Sequence, residues 1–299
     1  MVTYKIINRD LMKSFSLLTI AALIYGLLFP LNNYAADNGA SFFGNAFWQT
    51  FLGGFYLLII MLFKKEKFKL TNKHFYCFLI VGATGFGLPM ALITAVSPKL
   101  PIGLTSLVMA LSPTCTYLLS VFLKLDRISS FGAAGIFLGL CGVLVIIIPE
   151  LGVPDSSVIG WFALALITPF MLAIANVSTA ILRPPETTTL NMGAGFLLGA
   201  SLVIFPLMVI TNQTFIPSST AIFLTVNCAG LVNAVFIILF AEIVRLYGPT
   251  FFSQFNYLTV LAAIFWALIF FSEVPATTVL IALILMAIGV VVAQRRNTR

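Results

Sequence analysis

Charge is what this chain has least of. Lysine, arginine, aspartate and glutamate make up 8% of its 299 residues, against 61% apolar residues and a mean hydropathy of +1.10. Soluble domains run near one quarter charged, so no water-facing shell can be built from this composition. Histidine occurs once, as His74, which leaves no catalytic triad and no histidine metal set, and the chain reads as a non-enzyme without cofactor, metal or catalytic residues. The four cysteines, Cys77, Cys115, Cys141 and Cys228, lie in apolar runs without ligand spacing and read as small buried hydrophobes. Gly82, Gly85 and Gly87, and again Gly193, Gly195 and Gly199, have no Lys-Ser or Lys-Thr after them, so they read as close helix packing rather than phosphate loops.

What the chain does have is ten apolar segments. They run approximately over Phe15–Tyr34, Gly44–Phe63, Phe75–Ala95, Ile102–Leu123, Phe131–Ile148, Ile159–Leu182, Met192–Ile210, Ala221–Ile243, Thr250–Phe271 and Thr277–Ala293. Each suits a helix crossing a hydrocarbon core about 30 Å thick, where backbone polar groups must be satisfied internally. Lys5, Arg9 and Lys13 precede the first run, which is too long for a signal peptide and lacks a small-residue cleavage pattern, so it reads as a retained span. Threading the segments alternately puts fifteen of the sixteen lysines and arginines on one side, with Lys99 opposite. By the positive-inside rule that side is cytoplasmic and holds both termini. The formal charge of +7 is thus spread over inner loops, whose expected partners are membrane lipid headgroups and no nucleic acid.

A shift of 147 residues overlays Ser112–Val145 on Thr259–Val292, placing Asp126 on Glu273 and Gly142 on Gly289. Each copy would hold five helices, over 1–149 and 150–299. Five is odd, so the second copy enters the membrane from the opposite face. The expected fold is an all-α membrane protein of ten transmembrane helices in two inverted five-helix repeats.

The ten-helix count, the paired halves, the Tyr25-Gly26 step in helix 1 and the acidic residues closing helices 4 and 9 resemble the drug/metabolite transporter superfamily, EamA type. In that family helix 1 commonly carries Trp-Gly, helix 2 an arginine near its start and helix 9 a central proline. Here Tyr25, Gln49 and Val260 stand at those places, while helix 4 keeps Ser112-Pro113. The resemblance implies a bacterial inner-membrane carrier, often an exporter of amino acids or other metabolites.

Inverted-repeat carriers bind substrate near the midplane. The polar residues at suitable depth are Tyr25, Asn33, Trp48, Gln49, Asn176, Asn233, Gln254 and Tyr257, with Ser112, Ser201, Asn227 and Asn256 as further members of that inventory. Asn233 stands out, because its neighbours are all apolar and a buried amide needs a partner. Trp48 reads equally as a substrate face or an interfacial anchor. Pro30, Pro89 and Pro113 are hinge candidates, with Pro169 and Pro206 as weaker ones, since proline removes a helix hydrogen bond. A charge at the bilayer centre costs at least about 2.5 kcal/mol, and the nearest case, Glu242, is expected to pair with Arg245 three residues on. The expected cavity is uncharged and suited to a small neutral or zwitterionic metabolite, with amino acid export by alternating access as the leading function. Flipping of a lipid or lipid-linked metabolite is the alternative. A channel would need symmetry from several chains, whereas here a monomer suffices.

Overall fold

The computed structural model describes residues 2–89, 111–147, 156–217 and 219–271, with isolated positions at 92, 96, 108, 281, 284, 285, 288, 289 and 292. Lys99, Glu150, Asp155, Glu273, the tail arginines and most of the tenth apolar segment lie outside the described residues, and with them the Asp126–Glu273 correspondence. The elements are α1 (Val2–Gly26), α2 (Leu28–Asp37), α3 (Phe42–Phe63), α4 (Asn72–Gly82), a π-helical turn (Ala83–Gly87), α5 (Ser112–Phe122), α6 (Ser130–Ile147), α7 (Ser156–Ala165), α8 (Ile167–Ile181), α9 (Thr189–Ile210), α10 (Thr220–Tyr247), α11 (Pro249–Ser253) and α12 (Phe255–Phe271). No strand occurs among the described residues. Among the described residues five stretches are long and apolar enough to cross a membrane: Lys13–Asp37, Phe42–Phe63, Gly160–Ile181, Thr189–Ile210 and Thr220–Tyr247. The protein is a multi-pass helical membrane protein.

Three of the expected continuous spans are broken. The first divides at Leu27, the sixth at Leu166 and the ninth at Gln254. Pro30 and Pro169 each stand three residues past a break, and neither can donate to the carbonyl four residues back, at Gly26 and Ala165. At the ninth span Gln254 N donates to Phe251 O at 3.3 Å and Tyr257 N to Gln254 O at 3.1 Å, so the ladder slips to a three-residue repeat at the joint. Proline alone does not decide this: Pro206 lies inside α9, which continues to Ile210. Pro113 sits in the first turn of α5, where its missing N–H costs nothing, and Pro89 is buried just beyond the π turn.

α9 packs against α3, α4 and α10 at the centre of the bundle. Glycine makes this approach possible. A Cβ on Gly199 would stand 2.3 Å from Phe78 O, and one on Gly82 would stand 2.4 Å from Ala200 N. Helices held in lipid gain little from burying apolar surface, so backbone proximity and the van der Waals contact it allows carry the association.

The two ends differ. At one, Ser41 Oγ donates to Gln213 O, Phe43 N donates to Gln213 Oε1 at 3.0 Å, and Trp48 Nε1 donates to Phe215 O at 2.6 Å, joining the α2–α3 and α9–α10 connections. At the other, the basic α3–α4 loop meets the α8–α9 loop. There Lys69 N donates to Asn191 Oδ1 at 3.1 Å, Asn191 Nδ2 returns a bond to Lys69 O at 3.2 Å, and Thr188 Oγ1 donates to Glu66 Oε2 at 2.9 Å. We call this second end the cationic end.

Gly199→Ala is expected to lower the thermal unfolding free energy in detergent by about 2 kcal/mol, because its methyl meets backbone that cannot yield. Gly160→Ala, where an added methyl meets nothing within 4 Å, is expected to be neutral or slightly stabilising. A differential scanning measurement on both variants checks the contrast.

Candidate substrate cavity

The break at Leu27 and the π turn together build a cavity. α1 ends with Tyr25, and α2 presents Leu28, Phe29 and Asn32, three, four and seven residues on, which is one helical face. α3 contributes Ala46, Gln49 and Thr50, α10 contributes Asn233, and the π turn contributes Phe86. A π turn inserts one extra residue and so re-aims the side chains beyond it; here Gly82 precedes it, Gly85 and Gly87 lie within it, and Thr84 Oγ1 ties back to Ile80 O at 2.7 Å. The cavity has a volume of about 140 Å³.

Four amides form a ladder along it. Asn45 Nδ2 donates to Asn32 Oδ1 at 3.1 Å, Gln49 Nε2 donates to the same oxygen at 2.6 Å, and Asn233 Nδ2 donates to Gln49 Oε1 at 3.4 Å and to Ala229 O at 3.0 Å. Gln49 and Asn233 are 4% and 3% exposed, so these bonds replace water that is absent. Among the described residues no protein group pairs with Asn32 Nδ2 or Asn233 Oδ1, which leaves the cavity one free amide donor and one free amide acceptor. Thr50 Oγ1 turns back to Ala46 O at 2.9 Å. No ionisable group other than the Tyr25 phenol lines the cavity among the described residues. Tyr25 is held by aromatic contacts, its ring centroid 4.4 Å from Phe236 and 5.4 Å from Phe255. The lining offers hydrogen bonding and apolar contact rather than ion pairing.

Of the expected site residues, Tyr25, Gln49 and Asn233 come together here. Asn33 lies outside the lining, and its neighbour Asn32 takes the inward place. Helical periodicity explains the difference: Asn32 follows Tyr25 by seven residues, close to two full turns, whereas Asn33 points roughly 80° away. The indole of Trp48 faces the α9–α10 connection. Asn176 donates to Thr116 Oγ1 at 3.2 Å, away from the cavity. Tyr257 packs its ring over Gly139 and reaches Ile136 O at 3.4 Å, and Gln254 is buried at the joint between α11 and α12. Asn227 accepts from Tyr56 Oη, and Asn256 Nδ2 donates to Ser253 O at 3.3 Å. Phe86 was beyond sequence reasoning, since nothing in Ala-Thr-Gly-Phe-Gly marks a π turn.

Residues 12–148 match the EamA-like transporter family. The match likens that segment to membrane transporters of the drug/metabolite superfamily. A solved crystal structure has the same fold, with TM-score 0.78 at 17% identity over 94% of this chain and 96% of its own. No curated protein matches the sequence. Every cavity residue except Asn233 lies in the EamA-like segment, so the ladder from Gln49 to Asn233 ties that segment to the rest of the chain.

The cationic end is also ordered by polar contacts. Glu242 is ion-paired with Arg245 as the spacing predicts, and it also accepts from Thr189 Oγ1 at 2.9 Å. Arg183 donates to Thr187 O at 2.9 Å and Thr189 Oγ1 at 3.3 Å. His74 is 4% exposed in the first turn of α4. Hydroxyls meet both its ring nitrogens, Thr71 Oγ1 at 2.7 Å from Nδ1 and Thr187 Oγ1 at 2.9 Å from Nε2. Burial first, and then nearby Lys69, holds its pKa below the usual histidine value.

Gln49→Leu alone is expected to cost about 1–2 kcal/mol of unfolding free energy, because it removes one of the two bonds made by each of Asn32 Oδ1 and Asn233 Nδ2 in a buried site, and a Gln49→Leu/Asn233→Leu pair is expected to cost less than the sum of the two single changes; chemical denaturation of the three variants measures the coupling. A folded-state pKa below the unfolded one means the unfolded chain binds the proton first, so His74 contributes stability above about pH 6.5 that is lost as pH falls. The melting temperature should therefore drop between about pH 7.5 and about pH 5.5, and by less in His74→Gln.

Proposed function

We propose that this protein is a secondary transporter of the bacterial inner membrane that moves a small neutral or zwitterionic metabolite by alternating access, with neutral amino acids as the leading substrate class and export as the physiological direction. The observation that carries the reading is the uncharged cavity bounded by α1, α2, α3 and α10, with an amide ladder from Asn32 to Asn233 and apolar walls from Leu28, Phe29, Ala46 and Phe86. Amide oxygens accept from an ammonium group and amide N–H groups donate to a carboxylate, so a zwitterion with an apolar side chain matches both kinds of wall. A fixed charge would hold one end of such a solute too tightly for release. The ten-span arrangement in two inverted halves, 1–149 and 150–299, supplies the motion. The matching breaks at Leu27 and Leu166, each three residues before a proline, support that internal relation. The cytoplasmic face is then the cationic end, and a monomer is the working unit.

The test is uptake of radiolabelled neutral amino acids into proteoliposomes, compared with empty liposomes and repeated with an imposed pH gradient. Saturable uptake that falls at least roughly tenfold in Asn233→Leu is the expected outcome. Equal flux in protein-free vesicles for every amino acid removes that substrate class, and movement of a fluorescent lipid analogue in its place would establish the flippase reading.

A further inference from the structure

The cavity accounts for only part of the buried polarity. Eight buried side-chain oxygens among the described residues have no hydrogen-bond partner, and six of them lie on or beside three elements that pack on one another; besides Thr114 Oγ1 on α5, whose residue is only half-buried, five belong to fully buried residues: Ser112 Oγ and Ser120 Oγ on α5, Thr168 Oγ1 on α8, Thr250 Oγ1 on α11, and Gln254 Oε1 just past α11. All five residues are 5% exposed or less. Ser112, Thr116 and Ser120 repeat every four residues and so share one face of α5, which spans about 12 Å along the helix axis. α5 runs toward the basic loop carrying Lys124 and Arg127, α8 runs toward Arg183, and α11 starts one residue past α10, whose last turns hold Glu242 and Arg245. The hydroxyls thus form a track from the middle of the bundle to the cationic end.

Their lack of partners is informative. A hydroxyl that merely fills space in an apolar helix bonds back to a carbonyl one turn earlier. Thr50, Thr179, Thr225 and Thr259 all do so in this protein. The seam oxygens do not, and a polar atom kept dry and unpaired destabilises the state that holds it. Across the seam, α5 and α8 are joined by the bond from Asn176 Nδ2 to Thr116 Oγ1 at 3.2 Å, which water can replace.

We infer that the seam between α5, α8 and α11 is the cationic-end half of the permeation path, closed in this conformation and hydrated when α5 parts from α8 and α11. The inference rests on the carrier reading: α5 belongs to the first half of the chain and α8 and α11 to the second, so the rocking that closes the cavity opens the seam. The contact between the α3–α4 and α8–α9 loops also joins the two halves and keeps the seam shut.

The test uses the full chain with its four native cysteines replaced and single cysteines at Ser112, Thr116 or Ser120. Leu118 and Phe122, 62% and 80% exposed on the other face of α5, serve as lipid-facing controls, and Ala46 reports on the cavity. A charged methanethiosulfonate reagent is applied from each side of the membrane. The seam positions should react from the cationic side at least roughly tenfold faster than Leu118→Cys, and Ala46→Cys should react from the opposite side. In Glu66→Cys/Thr188→Cys, bridged by a bismaleimide before labelling, the seam rate should fall by roughly tenfold or more. Seam rates no higher than the Leu118 control, or rates that the bridge leaves unchanged, overturn the inference. Amino acid flux with a silent seam would leave the carrier reading standing and this inference refuted, while a reactive, bridge-sensitive seam without amino acid flux would do the reverse for the substrate.

Discussion

Hydrocarbon offers no hydrogen bond, and the architecture depends on that single constraint. Backbone amides are satisfied within helices, so every described element of the chain is helical. Side-chain amides must find one another across helices, and in doing so they decide which helices stay together. Asn32, Asn45, Gln49 and Asn233 come from α2, α3 and α10 and join those three elements at one depth. The ladder they form is both a structural tie and a chemically open site, because Asn32 Nδ2, Asn233 Oδ1 and Asn45 Oδ1 remain unused among the described residues.

Where polarity is not needed, small residues take over. The α4–α9 crossing depends on Gly82 and Gly199, whose missing side chains let backbones touch. The π turn after Gly82 then turns Phe86 toward the cavity, while its Gly85 and Gly87 pack closely on Ala175 and Val203. Packing and site are coupled here, since the same glycine run serves both.

The two ends of the bundle divide the work. One end is tied by the α2–α3 and α9–α10 connections beside the cavity, and the cationic end is tied by a denser set of contacts around Asn191, His74 and Arg183. A carrier needs a barrier on one side of its cavity at a time. Contacts built from single hydrogen bonds and short loops are suited to that, because each can be exchanged for water at little cost.

Composition and the spacing of apolar runs by themselves determined that this chain spans a membrane as helices, which loops carry its cations, and that its apolar runs hold almost no charge. Those conclusions need only length and hydropathy, which are local properties. Helical periodicity even contained the choice of Asn32 over Asn33, since seven residues from Tyr25 returns to the same face. The tertiary structure alone decided the rest. It broke three spans at Leu27, Leu166 and Gln254, drew Gln49 and Asn233 together from 184 residues apart, and buried His74 against Thr187. Contacts between distant residues depend on which helices adjoin, and apolar helices in lipid are too alike for their sequences to say which neighbours they will choose.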